Sequence, residues 1–381
     1  MKKRARPPKR RKLKIAILAP VTREVSHDTR GGRNRVIYDL IENLVKRKHN
    51  VTLLGTGDSK TKAKLISVIP KGLYNLPPFE NIYFAETGYL VNMMKKLTEI
   101  ANKFDVIHNH CFPEFLPMLV HPQFPKIPML TTIHLRITKD SLKIFSLFAS
   151  EHIAQASQFQ AQKTKNFKHV YVVPHGVNIL EYQFNPNPKN HFLVFSRMNC
   201  YTDNKGKIIH AKGIPNAIRA TQIAGENLVL AGNCEKQEYF DTYIKPHLNK
   251  KIKFQGPETS TGGPVGFKQK INLYKNARAL LFPIQEDETF GMTMIEAMAC
   301  GTPVIAYRRA TTPEIIKDGI TGFIVKNEKQ MAQAMKNINK ISRQKCREHV
   351  EKYYTSVRMA DDYEKLYYQI TAKYKKTKLI P

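Results

Sequence analysis

The sequence has no tryptophan, only five cysteines and no long apolar run. The cysteines are odd in number and have no CxxC spacing, which argues against a disulfide framework and a structural zinc site and is typical of a reducing cytosol. The basic N-terminus and the run IAILAPV resemble a short signal peptide, but Pro20 and the polar residues after it offer no cleavage site. Since no apolar run approaches the ~18–20 residues that cross a bilayer, we expect a cytoplasmic protein.

Acidic residues are also few. The chain has 31 Asp and Glu against 62 Lys and Arg, a formal net charge of +31. Part of this charge lies in MKKRARPPKRRKLK at the start and in KYKKTK near the end. Such a charge favours anionic partners such as nucleoside diphosphates or acidic lipid surfaces, although basic tails are also common as solvated segments. Because no nucleic-acid-binding motif accompanies the charge, we do not expect nucleic acid as a partner, and peripheral contact with the acidic inner face of a membrane stays open.

Apolar β-type segments alternate with amphipathic segments along the chain, a pattern typical of parallel sheets with crossover helices. The strand-like segments of the first half are 14–19, 51–55, 105–109, 128–134 and 169–174. Those of the second half are 192–196, 227–232, 279–283, 303–307 and 322–325. The clearest helical segments are 35–48, 214–224, 292–300 and 328–341.

The length of 381 residues suits two domains at the usual ~100–200 residues per domain. Residues 178–191 interrupt the α/β rhythm with Asn and Pro, and we interpret them as a linker. The predicted fold is α/β, with two Rossmann-like domains facing each other across a cleft at the carboxyl ends of their strands. The predicted units are a basic tail at 1–13, a first domain at 14–177, the linker, a second domain at 192–355, and a helix with a basic tail at 356–381.

The segment EDETFGMTMIEAMACGTP at 286–303 carries the clearest chemical signal. Phe290 and Gly291 form a strand-to-helix turn, and the amides after it form a helix N-terminus, which attracts phosphate. The helix is almost entirely apolar and therefore buried, so Glu296 in its middle needs hydrogen-bond donors from a basic residue or from ligand hydroxyls. Glu288 precedes the turn and is expected to point into the mouth of the cleft. The segment predicts a phosphate site flanked by two carboxylates suited to sugar hydroxyls.

The pattern E-x-F-G-x-x-x-x-E, followed by AMACGTPVIA and DGITGFIV, resembles the retaining GT-B glycosyltransferases of glycosyltransferase family 4. The resemblance is specific over 279–325 and weaker over most of the remaining chain. It implies an N-terminal acceptor domain, a C-terminal domain for the donor nucleotide-sugar, and no metal or further cofactor. It also implies that Glu288 contacts the donor sugar, that Glu296 holds the ribose, and that the backbone from Phe290 through Met292 to Thr293 contacts the diphosphate.

Two further segments agree with the resemblance. Gly31 and Gly32 lie between the first strand and the first helix, where the family's glycines let the backbone approach the donor diphosphate. Arg197 follows the first strand of the second domain, where the family has an arginine, and a lysine before the next helix completes the pair of cations on the leaving diphosphate. Lys212 fits that lysine better than Lys205, because a helix follows it directly. The alternative interpretation of Gly31 and Gly32 is an ordinary turn, and that of Lys212 is a solvated lysine in a loop.

Histidines end two strands of the first half. His134 matches a cleft-facing histidine of the family, near the transferred sugar, with a purely structural role as the alternative. His108 and His110 form an H-x-H pair, but no third ligand follows at zinc-site spacing, so we predict no metal site. In VPHGVN, His175 and Asn178 depart from the family pattern.

The resemblance implies a retaining, metal-independent hexosyltransferase with His134, Glu288, Arg197 and Lys212 as catalytic residues. The sequence GTGDSKTKA and the Glu motif are most similar to the pterin-glucosyltransferase-like branch of the family, which favours UDP-glucose as the donor and leaves the acceptor open. A sugar-nucleotide epimerase of the same architecture is the alternative enzyme. A polyanion-binding protein without catalysis is the alternative that the charge suggests.

Overall fold

The computed structural model describes residues 11–124, 127–203, 205–234, 236–256 and 265–376. Residues 1–10 of the predicted N-terminal tail and residues 377–381 of the C-terminal one lie outside the described residues. The described chain forms two parallel sheets with crossover helices. This architecture confirms the predicted α/β fold of two Rossmann-like domains.

The first sheet consists of the strands β1 (Lys14–Leu18), β2 (Asn50–Thr56), β3 (Lys64–Ile69), β4 (Val106–Asn109), β5 (Met129–Ile133), β6 (His152–Gln155) and β7 (His169–Val172). They are parallel and lie in the order β3-β2-β1-β4-β5-β6-β7. Ala16 and Leu18 of β1 pack into one apolar cluster, and Ile15 and Ile17 pack into another on the opposite face. Both faces of the sheet are therefore buried, as is usual for a parallel sheet.

The second sheet consists of β8 (Phe192–Phe195), β11 (Leu228–Ala231), β12 (Ile252–Gln255), β13 (Leu280–Phe282), β14 (Val304–Tyr307) and β15 (Gly322–Val325). Its strands are parallel and lie in the order β12-β11-β8-β13-β14-β15. A short antiparallel hairpin of β9 (Tyr201–Thr202) and β10 (Ile208–Ile209) follows β8. In each sheet the next two strands along the chain are added on one side of the first strand, and the remaining strands are added on its other side. Ligands of open α/β sheets bind at such a switch point, here beside β1 and β4 and beside β8 and β13.

The helices of the first domain are α1 (Gly32–Lys46), α2 (Ile82–Ile100), α3 (Phe115–Val120), α4 (Lys139–Ser146) and α5 (Gln158–Lys163). Those that follow are α6 (Ile214–Ala224), α7 (Gln237–Tyr243), α8 (Phe267–Asn276), α9 (Met292–Ala299), α10 (Thr312–Ile315), α11 (Glu328–Lys336), α12 (Arg343–Tyr353) and α13 (Ser356–Lys376). Within the described ranges, none of these helices combines the length and the apolar character needed to span a bilayer.

Most predicted elements lie within three residues of the observed ones, and α6 and β15 have the predicted bounds. Three strands of the two parallel sheets, β3, β6 and β12, and the short hairpin strands β9 and β10 were not predicted. Strands β3 and β12 are edge strands with exposed polar positions, so they lack the continuous apolar run of a central strand. Strand β6 has the sequence HIAQ, and its Gln155 is fully buried.

The last helix returns to the first domain. Helix α13 packs along α1, and Tyr363 and Tyr367 are buried in the same apolar cluster as Ile37 of α1. The backbone at Gly176 is in close contact with the segment that precedes α13, since a Cβ on Gly176 would lie 2.2 Å from the carbonyl oxygen of Thr355. Helix α13 therefore shares one core with β1 and α1 of the first domain.

Candidate active site

The lysine before α6 meets the acidic loop between β13 and α9. Lys212 Nζ lies 3.0 Å from Glu288 Oε2 and 3.0 Å from Glu286 Oε1. This approach requires the glycine that follows the lysine, since Gly213 has φ of +65° and its Cβ position lies 1.9 Å from the carbonyl oxygen of Pro283. The structure thus brings together Lys212 and Glu288, two residues with predicted catalytic roles.

The ammonium of Lys212 is held in its charged form. Burial alone would lower its pKa, but the carboxylates of Glu288 and Glu286 outweigh burial and raise the pKa above its usual value. Lys205, the alternative phosphate lysine, lies instead in the exposed turn of the β9–β10 hairpin, where its amide donates to Asp203 Oδ1 at 2.9 Å. Of these two candidate phosphate lysines, Lys212 is therefore the one beside the acidic loop.

The predicted diphosphate turns of the two domains face each other. Gly291 begins α9 with φ of +90°, a left-handed conformation that favours glycine, and Gly31 occupies the corresponding position before α1. A Cβ on Gly32 would lie 3.9 Å from Cγ of Met292, so the two helix N-termini are adjacent. In the first turn of α9, the hydroxyl of Thr293 is buried without a hydrogen-bond partner among the described residues. This juxtaposition suits an anion held between two sets of free amides.

Glu296 is buried in α9, with 5% of its surface exposed, as the apolar helix predicts. Lys270 Nζ lies 2.7 Å from Glu296 Oε1, and the hydroxyl of Tyr182 donates to the same oxygen at 3.1 Å. The hydroxyl of Tyr274 donates to Oε2 at 3.0 Å. The protein thus supplies three donors, from the predicted linker and from α8. Since an ionised carboxylate has about four lone-pair sites, these three donors do not fill all of them.

Arg197 lies two residues after the end of β8, and it is exposed. Strand β8 pairs with β13, whose following loop carries Glu288. Arg197 and Glu288 therefore lie at the carboxyl ends of neighbouring strands. The adjacent Ser196 is closely packed, because its carbonyl oxygen lies 2.0 Å from the Cβ position of Gly232.

His134 ends a hydrogen-bonded row of imidazoles. Its Nε2 lies 2.8 Å from His110 Nδ1, and His110 Nε2 lies 3.2 Å from His108 Nδ1. His108 Nδ1 also lies 2.6 Å from the hydroxyl of Tyr367 on α13. His175 stacks on His134 with ring centroids 5.2 Å apart. The row connects the buried C-terminal helix to the partly exposed His134.

Burial lowers the pKa of every histidine in this group. The pKa values of His108 and His175 fall to about 3, and those of His110 and His134 fall well below the usual value. The imidazoles are therefore neutral at physiological pH, and each has one N–H donor and one acceptor nitrogen. In the described residues no group of three or more His, Cys, Asp or Glu side chains is arranged to hold a metal ion. Metal independence itself stays a prediction.

Two family models match the chain. The model described as Glycosyltransferase Family 4 matches residues 30–179, and the model described as Glycosyl transferases group 1 matches residues 204–357. The first match contains His134, and the second contains Lys212, Glu288 and Glu296. The chain is a glycosyltransferase of the GT-B fold and family 4 type.

The glycosyltransferase is similar to known proteins over most of its length. An uncharacterised glycosyltransferase of Methanocaldococcus jannaschii is 26% identical over 298 residues, which are 74% of this chain and 78% of the relative. The N-acetyl-alpha-D-glucosaminyl L-malate synthase of Bacillus anthracis is 22% identical over 89% of this chain and 94% of the relative. The crystal structure of Anabaena HepE with UDP-glucose has a TM-score of 0.68 over 93% of this chain and 99% of that chain, at 15% identity. This last likeness shows the shared fold.

Sequence patterns did not predict the contacts by which the first domain of the glycosyltransferase holds the acidic loop. The hydroxyl of Ser157 donates to the carbonyl oxygen of Thr289 at 2.9 Å, one residue after Glu288. Lys163 Nζ lies 3.1 Å from Asp287 Oδ2. Ser157 and Lys163 belong to the short polar segment around α5. The sequence of this segment has no apolar periodicity that would distinguish it from a surface loop. The cleft is therefore bridged beside the predicted catalytic carboxylate.

Mild acid is expected to destabilise the glycosyltransferase. A histidine in the unfolded chain titrates near pH 6.5, about the usual value, whereas the pKa values of buried His108 and His175 are about 3. Between pH 6.5 and pH 3 the unfolded state binds more protons than the folded state. The free energy of unfolding that these neutral histidines contribute is therefore fully present above pH 6.5, and it falls with pH by up to about 1.4 kcal/mol per pH unit for each group. Burial raises the pKa of Asp39 and of Glu114 to about 7, which acts in the opposite direction. The lowered histidines are more numerous, so the net sign is destabilising.

Urea unfolding at pH 7.5 and pH 5.5 would measure this effect. We expect a lower midpoint at pH 5.5. The difference should shrink in His175→Phe, because in the described residues this ring makes aromatic contacts with His134 and Phe290 and its Nδ1 has no hydrogen-bond partner. His27→Gln is the matched control, since His27 is partly exposed. An equal or higher midpoint at pH 5.5 would show that the buried histidines do not control acid stability.

Proposed function

We propose that the glycosyltransferase moves a hexosyl group from a nucleoside diphosphate sugar to an acceptor hydroxyl, with retention of configuration and without a metal ion. The observation that carries the proposal is the pair of Lys212 and Glu288, which lies beside the N-terminus of α9. UDP-glucose is the favoured donor. Anabaena HepE, which has the same fold, was crystallised with UDP-glucose, and this supports the choice.

The donor diphosphate would lie between the amides of α9 and the turn at Gly31 and Gly32. Lys212 and Arg197 would neutralise its charge from the side of the second domain. When the diphosphate engages Lys212, Glu288 loses part of its ion pair, and the sugar hydroxyls can donate to it instead. Glu296 would take a ribose hydroxyl at the lone-pair site that its three protein donors leave open.

In the reaction, the bond between the anomeric carbon and the diphosphate oxygen breaks while Arg197, Lys212 and the α9 amides take up negative charge. The acceptor oxygen forms its bond to the same carbon on the same face. Its proton passes to the departing phosphate, so that charge and atoms balance. His134 stays neutral and orients the sugar through hydrogen bonds. We assign no covalent nucleophile, because the ion-paired Glu288 serves to bind hydroxyls in this scheme.

The charge of the chain supports a proposal for the acceptor and for the cellular location. The net charge of +31 favours an acceptor or surface that is acidic. The Bacillus anthracis relative is named for L-malate, a dicarboxylate, which supports an acidic acceptor. A cytoplasmic protein in peripheral contact with an acidic membrane remains a prediction from the same charge.

Nucleotide release from a panel of UDP-, GDP- and ADP-sugars tests the proposal. We expect the fastest release from UDP-glucose, and Arg197→Ala should slow it by about 10²–10³-fold, the usual effect of removing one fixed charge-stabilising donor. Arg219→Ala is the matched control, because Arg219 is exposed on α6. Epimerised donor without nucleotide release would indicate an epimerase instead. No release and no nucleotide binding would overturn the proposal.

A further inference from the structure

Arg33 lies in the first turn of α1. It follows Gly32 directly, and its guanidinium lies over the ring of Phe112 at 5.7 Å. It makes no hydrogen bond or ion pair with any residue that the structure describes. Burial lowers the pKa of Arg33, and the nearby carboxylates of Glu114 and Glu86 act against this effect without forming ion pairs. A partly buried guanidinium without an anion is costly, so this position suits an incoming anion.

Glu114 is a second group with an unfilled hydrogen-bonding site. Only 3% of its surface is exposed, and its Oε1 has no hydrogen-bond partner among the described residues. Burial raises the pKa of Glu114 to about 7. Because a buried polar atom without a partner costs free energy, Glu114 suits a ligand hydroxyl that donates to it.

The two groups lie at the switch point of the first sheet. Arg33 follows β1, Phe112 and Glu114 follow β4, and these two strands are neighbours at the place where the strand order reverses. Phe112 is 40% exposed and offers a ring face at the same place. Burial is the main cause of the lowered pKa of His134, and the positive charge of Arg33 adds to it. Arg33 is therefore within electrostatic range of the predicted reaction centre.

We propose that Arg33 and Glu114 form the acceptor subsite and select a hydroxylated acceptor that carries a carboxylate or phosphate group. Arg33 pairs with the anionic group, for which the planar guanidinium offers two parallel N–H donors. Glu114 accepts a hydrogen bond from an acceptor hydroxyl and thereby orients it toward His134. This inference rests on the proposed function, because it assigns the second substrate of the same reaction.

Binding of small anions to the full chain tests the subsite. The probes are L-malate and glycerol 3-phosphate, with neutral glycerol as the uncharged comparison, titrated by calorimetry into the protein saturated with UDP. We expect one or both anions to bind and glycerol not to bind, and the tighter anion identifies carboxylate or phosphate as the recognised group. Arg33→Gln should weaken anion binding by about tenfold or more, the usual effect of losing a charged hydrogen-bonded pair. Arg33→Lys should restore part of the affinity.

Matched controls separate this inference from the proposed function. Arg30→Gln changes an exposed arginine of the same loop and should leave anion binding unchanged. UDP binding to each variant verifies that the variant is folded. The inference is overturned if UDP binds but no anion does, or if Arg33→Gln and Arg30→Gln weaken the anions equally. It is also overturned if Arg33→Gln weakens UDP instead, since Arg33 would then belong to the diphosphate site. Failure of wild type to bind UDP or release nucleotide would count against the proposed function.

Discussion

Lys212→Ala is expected to lower the rate constant for nucleotide release by about 10²–10³-fold. The ammonium lies 3.0 Å from both Glu286 and Glu288 and neutralises part of their charge. The alanine variant loses a cation that stabilises the leaving diphosphate. It also removes the ion-pair partner of Glu288, while Glu286 keeps the more distant Arg136 at 3.8 Å, so uncompensated negative charge remains where that diphosphate must bind. Both effects raise the barrier, so the loss should be among the largest for a single substitution.

Single-turnover release of UDP from UDP-glucose would measure the change. Lys205→Ala is the matched control, because it removes the same charge from the exposed hairpin turn nearby in the sequence. It should retain the rate of the wild-type enzyme. If Lys205→Ala were the slower variant, Lys205 would be the phosphate lysine and the Lys212–Glu288 pair would be structural.

Glu296→Ala is expected to lower the free energy of unfolding by about 3–5 kcal/mol, as is usual when one partner of a buried ion pair is removed. Lys270, Tyr182 and Tyr274 all donate to this carboxylate. The alanine would leave a partly buried ammonium and two buried hydroxyls without an acceptor. Urea unfolding of the wild type and the variant would measure the change.

Glu288→Ala is the control for stability, because Glu288 is more exposed and its partner Lys212 keeps Glu286. It should destabilise the protein less than Glu296→Ala, and an equal loss would contradict the buried network. A second comparison isolates the ribose role. Wild type should bind UDP more tightly than 2′-deoxy-UDP, and Glu296→Gln, which keeps the shape of the side chain, should reduce that preference. An unchanged preference would remove Glu296 from the ribose site.

Local sequence patterns were sufficient for the architecture. Alternating apolar strands and amphipathic helices predict a parallel α/β fold, because parallel neighbouring strands are usually joined by a right-handed crossover that contains a helix. The apolar pattern that predicts a strand was clearest in central strands such as β8, because these strands are buried on both faces and consist of continuous apolar residues. It was weak at the edge strands β3 and β12, where solvent permits polar residues, and in β6, whose buried Gln155 resembles a loop residue.

The sequence by itself determined which residue types the site contains. Three local features each predicted a residue that contacts the ligand. They are the glycine before α1, the carboxylate of Glu296 within the apolar helix α9, and Lys212 before α6. The motif around Glu288 and Glu296 also identified the family, because its spacing includes the turn that begins α9.

Only the tertiary structure decided which groups meet. The placement of Lys212 beside Glu288 depends on the contact of Gly213 with Pro283, between segments that are distant in sequence. The three donors to Glu296 come from the predicted linker and from α8, and the row of imidazoles ends on a tyrosine of α13. Propensity and periodicity report only on neighbours along the chain, whereas these contacts depend on how sheets, crossovers and the returning C-terminal helix pack.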